Sequence, residues 1–226
     1  MIEPTDRDFA HELRTIREWM SGMAQRASEQ IALAIEALEK RDDGLAKRVI
    51  ENDKDIDRDE NEIDKLAMRI LMARHPVASD LRFVTMALKF VVDIERIGDL
   101  AKGIARRALE LNHLPPLAWN GDLRHLATLV QRNLHLAIDS FVSGNSDEAR
   151  AVIRADGEID RANANLFAHL LALVATDPAS VTQVLPLTSV SRYLERMGDH
   201  VTNVAEEVIF MVSGAEVRHQ ELVTAN

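Results

Sequence analysis

The chain has no cysteine, which excludes disulfides, thiolate zinc sites and iron–sulfur clusters and suits a reducing compartment. Only 9 glycines, 6 prolines and 4% aromatics occur in 226 residues, and that scarcity, beside abundant Ala and Leu, favours helix over sheet. No apolar run approaches the roughly 20 residues needed to span a bilayer. The opening MIEPTDRDFAHEL is acidic and has no signal-peptide core, so the expectation is a cytoplasmic protein that is not itself transmembrane. Positive charge is also short. With 27 Lys and Arg against 37 Asp and Glu, the net charge is −10 and the pI about 5.3, which argues against a nucleic-acid partner. Metal cations and basic protein surfaces stay open.

What is present is helical periodicity, nearly throughout. It breaks at KRDDG (40–44), RHPVASD (74–80), LNHLPPLAWNGD (111–122), VSGNSD (142–147) and TDPAS (176–180). Six helices are predicted, roughly over 6–41, 43–74, 79–112, 121–143, 146–175 and 178–213. Ser79 and Ser146 are candidate N-caps, and Pro178 sits where a first helical residue belongs. Met23, Met68, Met72 and Met86 read as core filler.

The chain repeats itself. AIEAL (34–38) aligns with AIDSF (137–141), AKRVIENDKDIDR (46–58) with ARAVIRADGEIDR (149–161), and DIERIGD (93–99) with YLERMGD (193–199). The offset falls from 103 to 100 across the turns, where deletions are tolerated. The predicted fold is therefore all-α, two tandem antiparallel three-helix bundles, with a first unit over 1–114 and a second over 115–226.

Short turns join helices two and three of each unit, so the two should pack antiparallel. Asp57 and Glu95 are then equidistant from Pro76, as are Asp53 and Asp99. In the second unit Asp160 and Glu195, and Asp156 and Asp199, are equidistant from the Asp177–Pro178 bond. Each unit thus sets an acid pair on one helix level with an acid pair on the next, on the flank of the apolar stripe. Gly98 and Gly198, mid-helix, should leave room beside the carboxylates. Four facing carboxylates call for positive charge, and hard divalent or trivalent metal ions with oxygen ligands supply it. Magnesium, manganese, calcium, iron and zinc all stay open. Glu60 and Asp64 align with Asn163 and Phe167, so the second site looks poorer in ligands and the first should bind at least as many ions.

An acid run such as DKDIDRDENEID is by itself usually a solvated face, and Arg96 or Arg196 could pair with these acids. Duplication of the glycine and of the matched spacing favours a site. His200, beside Asp199, reads as a surface histidine or an aid to a metal. GDLAKGIA (98–105) lacks the Lys-Ser/Thr of a phosphate loop and lies within a helix. A Ser/His/Asp constellation is not recognisable.

With an acid pair on helix two and E-R-I/M-G-D on helix three of each repeat, together with LAKRVIENDKDID (45–57) and HPVASDLR (75–82), the chain resembles the PhoU family over nearly its whole length. The resemblance implies a non-enzymatic regulator of phosphate uptake and phosphate-starvation signalling. It implies work with a phosphate-specific ABC transporter and a sensor histidine kinase at the cytoplasmic membrane face, and a homodimer. It also implies metal clusters on E/D-xxx-D pairs, here Asp53/Asp57, Glu95/Asp99, Asp156/Asp160 and Glu195/Asp199. A metal-dependent enzyme using the same carboxylates and a metal-storage bundle are the rival readings.

Overall fold

A computed structural model describes residues 4–117 and 122–214. The helices are α1 (Pro4–Lys40), α2 (Asp43–Arg74), α3 (Ala78–Asn112), α4 (Asp122–Ser143), α5 (Ser146–Thr176) and α6 (Val181–Ser213), with one 3₁₀ turn, Pro178–Ser180, ahead of α6. Among the described residues there is no strand, and no helix is long and apolar enough to cross a membrane. The outer edges of the two expected units, residues 1–3 and 215–226, lie outside the described residues.

The helix ends show where local chemistry departs from expectation. Asp42 caps α2 by accepting from the Leu45 amide, and Asn145, not Ser146, caps α5 by accepting from the Asp147 and Glu148 amides. Its offset by one residue has a simple cause: the cap must keep extended backbone so that its side chain reaches forward, and Asn145 is extended while Ser146 is already helical. Ser79 is likewise inside α3, whose N-cap Val77 makes no side-chain bond. Asp177 does cap the turn that follows, with Pro178 at its first position. Gly144 and Gly214 hold φ near +70° (68° and 70°), a conformation costly to residues with a Cβ.

α1, α2 and α3 pack on one another, as do α4, α5 and α6. The two three-helix bundles then meet along α3 against α6 and α1 against α4, leaving α2 and α5 outermost on opposite sides. Buried apolar side chains from all six helices form one continuous cluster. Phe141 of α4 reaches across the junction, stacking on Phe83 at 5.1 Å and meeting Phe90 edge-on at 4.6 Å. α3 and α6 run antiparallel, with Asp93 meeting His200 and Arg82 donating to the Met211 carbonyl. Arg124 of α4 grips Glu39 of α1 with two bonds.

The apolar stripes expected on α2 (Leu45, Val49, Ile56, Ile63, Ile70) and α3 (Phe90, Ile94, Ile97, Ala101, Ile104) are all buried. Two of the four methionines behave otherwise. Met23 and Met86 are core, but Met68 and Met72 are 48% and 68% exposed. Leu66, Ala67 and Ile70 already fill the inward face of that part of α2, so 68 and 72 turn outward.

Candidate functional site

The seam between α2 and α3 gathers the first acid set. Ile56 and Ile97 are fully packed beneath it, and Gly98 lets the helices approach closely. A Cβ at Gly98 would stand 2.8 Å from Ile56 Cδ1, and 3.7 Å from Asp53 Oδ1. The room that the glycine leaves is therefore needed first by the isoleucine, and the carboxylate beside it is only in ordinary contact. The second seam, α5 on α6, repeats the arrangement: a Cβ at Gly198 would meet Ile159 at 3.1 Å and Asp156 Oδ1 at 3.5 Å.

Asp53 is 4% exposed, deeper than the rim position its helical wheel implies. Lys102 of α3 bonds it and reaches Asp99 at 3.3 Å, so one ammonium clamps both helices at this level. Asp57, Glu60, Asp64, Glu95 and Asp99 are half-buried around it. Burial, then the Asp99 charge, pushes Glu95 from 4.5 up to about 7, with Glu60 and Asp57 adding to the rise. Arg96 lies 3.5 Å away but is more than half exposed, and it offsets only part of that. Asp57, Glu60 and Asp64 are raised too, each chiefly by burial. Asp64 Oδ1 is buried with no hydrogen-bond partner.

The second set is more open, with Asp160 and Asp199 exposed and Asp156 and Glu195 half-buried. Burial, then Asp160 and Asp199, raises Asp156, and burial, then Asp160, raises Asp199. Where the first site has Lys102, the matching position is Thr202, whose hydroxyl donates to Asp156. The first site thus has an ammonium bonded to two of its acids, whereas in the second only His200 and Arg196, unbonded to its acids, offset part of the rise at Asp199. A count of ligands alone does not reveal that difference, although both residues stand three places after the motif aspartate.

All eight predicted residues, Asp53, Asp57, Glu95, Asp99, Asp156, Asp160, Glu195 and Asp199, fall on these two seams, four to each. The donors are oxygens, burial raises Asp57, Glu95, Asp156 and Asp199 among them, and Asp64, further along α2 and outside the eight, has an orphaned carboxylate oxygen; this chemistry fits a hard cation. Among the described residues no three His, Asp or Glu side chains are already converged as a coordination sphere, so binding would draw them together and move Lys102 aside in the first site. His200 has another job. Its Nδ1 is 2.7 Å from Asp93 Oδ1, tying α6 to α3, and Asp93 is the partner that sequence reading did not supply.

The PhoU domain model matches residues 20–108 and 123–208, one copy on each three-helix bundle. The chain belongs to the PhoU family. It is 37% identical over 215 residues to the phosphate-specific transport system accessory protein PhoU homolog of Pseudomonas aeruginosa, covering 94% of this chain and 88% of that one. It is 35% identical over 214 residues to the accessory protein PhoU of Escherichia coli K12, covering 93% and 88%. The crystal structure of PhoU from Pseudomonas aeruginosa matches with a TM-score of 0.86 at 36% identity, over 92% of this chain and 100% of that one. The phosphate transport system regulatory protein PhoU from Streptococcus pneumoniae matches at 0.85 and 25%, over 92% and 99%. The PhoU fold thus supplies both acid seams from a single repeated unit.

Two outcomes follow from the seams. A carboxyl raised by burial binds its proton more tightly folded than unfolded, so stability is highest below 4.5 and falls as pH rises toward about 7. In chelator-treated protein Glu95→Gln should remove part of that fall, raising the melting temperature at about pH 8 and changing it little at about pH 5. An equal gain at both would show that the glutamate charge is not strained. Gly98→Ala gains about 1 kcal/mol of helix propensity but overpacks against Ile56, which costs roughly 1–3 kcal/mol. Urea unfolding should find it net destabilising and worse than Gly198→Ala, whose clash is milder.

Proposed function

We propose that this chain is a non-enzymatic regulator of phosphate uptake and phosphate-starvation signalling, a metal-binding adaptor between a phosphate-specific ABC transporter and a sensor histidine kinase at the cytoplasmic membrane face. The observation that carries the reading is the repetition of four carboxylates at equivalent places on two helix pairs, two of each four raised chiefly by burial, in a chain whose relatives bear the names of transport-system accessory and regulatory proteins. Asp53, Asp57, Glu95 and Asp99 would hold one divalent or trivalent ion or cluster, with Asp64 within the same acidic stretch. Asp156, Asp160, Glu195 and Asp199 would hold another. The bound ion supplies positive charge that replaces repulsion with attraction and locks α2 to α3 and α5 to α6.

In this role output depends on surface contacts, not on turnover, and the protein works as a homodimer. Lys102 already neutralises part of the first site, so the second site, lacking a matching ammonium, has the greater need of an external cation. This ordering reverses the one that ligand number suggests.

Replacing Glu95 and Asp99 by Gln and Asn, and Glu195 and Asp199 likewise, keeps shape and removes charge. The four-fold variant should keep its helical content, lose most of its metal by elemental analysis, and raise phosphate-starvation gene expression in phosphate-replete cells. A metal-free variant that still represses fully would make the metal incidental to signalling.

A further inference from the structure

Beside the acid seams, where α3 crosses α6, lies a cleft of about 270 Å³ whose lining includes Arg96, Asp99, Gly103, Arg106, Tyr193, Arg196 and His200. On a protein of net charge −10 its lining is unusual in holding three guanidiniums and one carboxylate, although Arg96 also lies 3.5 Å from Glu95 outside the cleft. Arg96 lies 3.5 Å from Asp99. Among the described residues neither Arg106 nor Arg196 makes a hydrogen bond or an ion pair, and Arg196 acts on Asp199 only at longer range, so their donors are available. His200 is fixed through Nδ1 on Asp93, which leaves Nε2 as its remaining polar atom. Tyr193 packs against Gly103, where a Cβ would come within 3.1 Å of its ring, and its phenolic oxygen accepts from Arg107.

The duplication shows that this cleft is more than a repeated by-product. Under the offset of 100 that relates the two motifs, Arg106 corresponds to Glu206, Tyr193 to Asp93 and Gly103 to Asn203. The equivalent crossing on the other side would therefore be acidic. Only one side has the glycine that admits the aromatic ring and the third arginine.

We propose that this cleft is a binding site for a small tetrahedral oxyanion, inorganic phosphate, held by the guanidiniums of Arg96, Arg106 and Arg196. Planar guanidiniums donate paired hydrogen bonds that match phosphate oxygens, and three of them, from two helices, line this one cleft. In the metal-free protein, where its carboxylate is not a ligand, Asp99 adds selectivity. Phosphate at neutral pH still carries a proton and can donate to a carboxylate, whereas sulfate carries none and meets only repulsion there. The cleft joins the two bundles through α3 and α6, so an anion bound in it bridges the halves. This goes beyond the adaptor role, and it requires neither the metal nor the partners.

The test is calorimetric titration of chelator-treated full-length protein with inorganic phosphate, and separately with sulfate, at low ionic strength. Wild type should bind phosphate saturably and more tightly than sulfate. Arg106→Gln and Arg196→Gln should each weaken phosphate by at least about tenfold, while Arg48→Gln, on the exposed face of α2, should change it by less than about twofold. Both arginines are exposed, so the variants are expected to fold, and circular dichroism checks that they do. No saturable binding by wild type up to about 10 mM, sulfate bound as tightly as phosphate, or equal weakening by Arg48→Gln would overturn the assignment. None of these outcomes bears on gene repression, so the adaptor reading stands or falls separately.

Discussion

Carboxylates pressed together along the α2–α3 and α5–α6 seams are the constraint on which the rest of this molecule depends. Ile56 against Gly98 and Ile159 against Gly198 bring the helices close, and apolar burial beneath them drives the packing. The acids are carried into that closeness without choice. Burial and like charge then push up Asp57 and Glu95 on the first seam, Glu95 to about 7, and Asp156 and Asp199 on the second. A protein can answer such strain with protons, with its own cations or with metal ions. The first seam uses its own cation, Lys102 on Asp53 and Asp99. The second uses a hydroxyl, which relieves far less.

Duplication followed by divergence explains why two seams of one origin differ. Lys102 against Thr202, and Arg106 against Glu206, are changes at matching positions of α3 and α6. The first alters how a seam is neutralised, and the second alters which anions or cations gather at the crossing of the bundles. Both sit on the two helices that form the junction, along with the Asp93–His200 bond. Charge on this junction is thus distributed unevenly over a framework that is nearly symmetric.

Much of this could be read from the residues. Helix periodicity and sparse Pro and Gly set six helices to within a residue or three at each end, and equal distances from Pro76 and from the Asp177–Pro178 bond assigned four acids to each of the two seams. The parts that escaped involve direction and partnership in three dimensions. Whether Ser146 or Asn145 caps α5 depends on one backbone dihedral. Met68 and Met72 look apolar in sequence but face outward, because α2 has a filled inward side without them. His200 needed Asp93, which lies in the other half. Lys102 was visible as a residue, but its reach across to Asp53 becomes evident only once α2 and α3 are in register.

The central claim is that the seams are short of positive charge. Thermal unfolding of chelator-stripped protein, with and without Mn²⁺, at about pH 7.5 and about pH 5, tests it most directly. Carboxylates strained in their ionised form should take the cation when deprotonated, so Mn²⁺ should raise the melting temperature clearly at the higher pH and much less at the lower. No rise at either pH, or the same rise at both, would contradict the account.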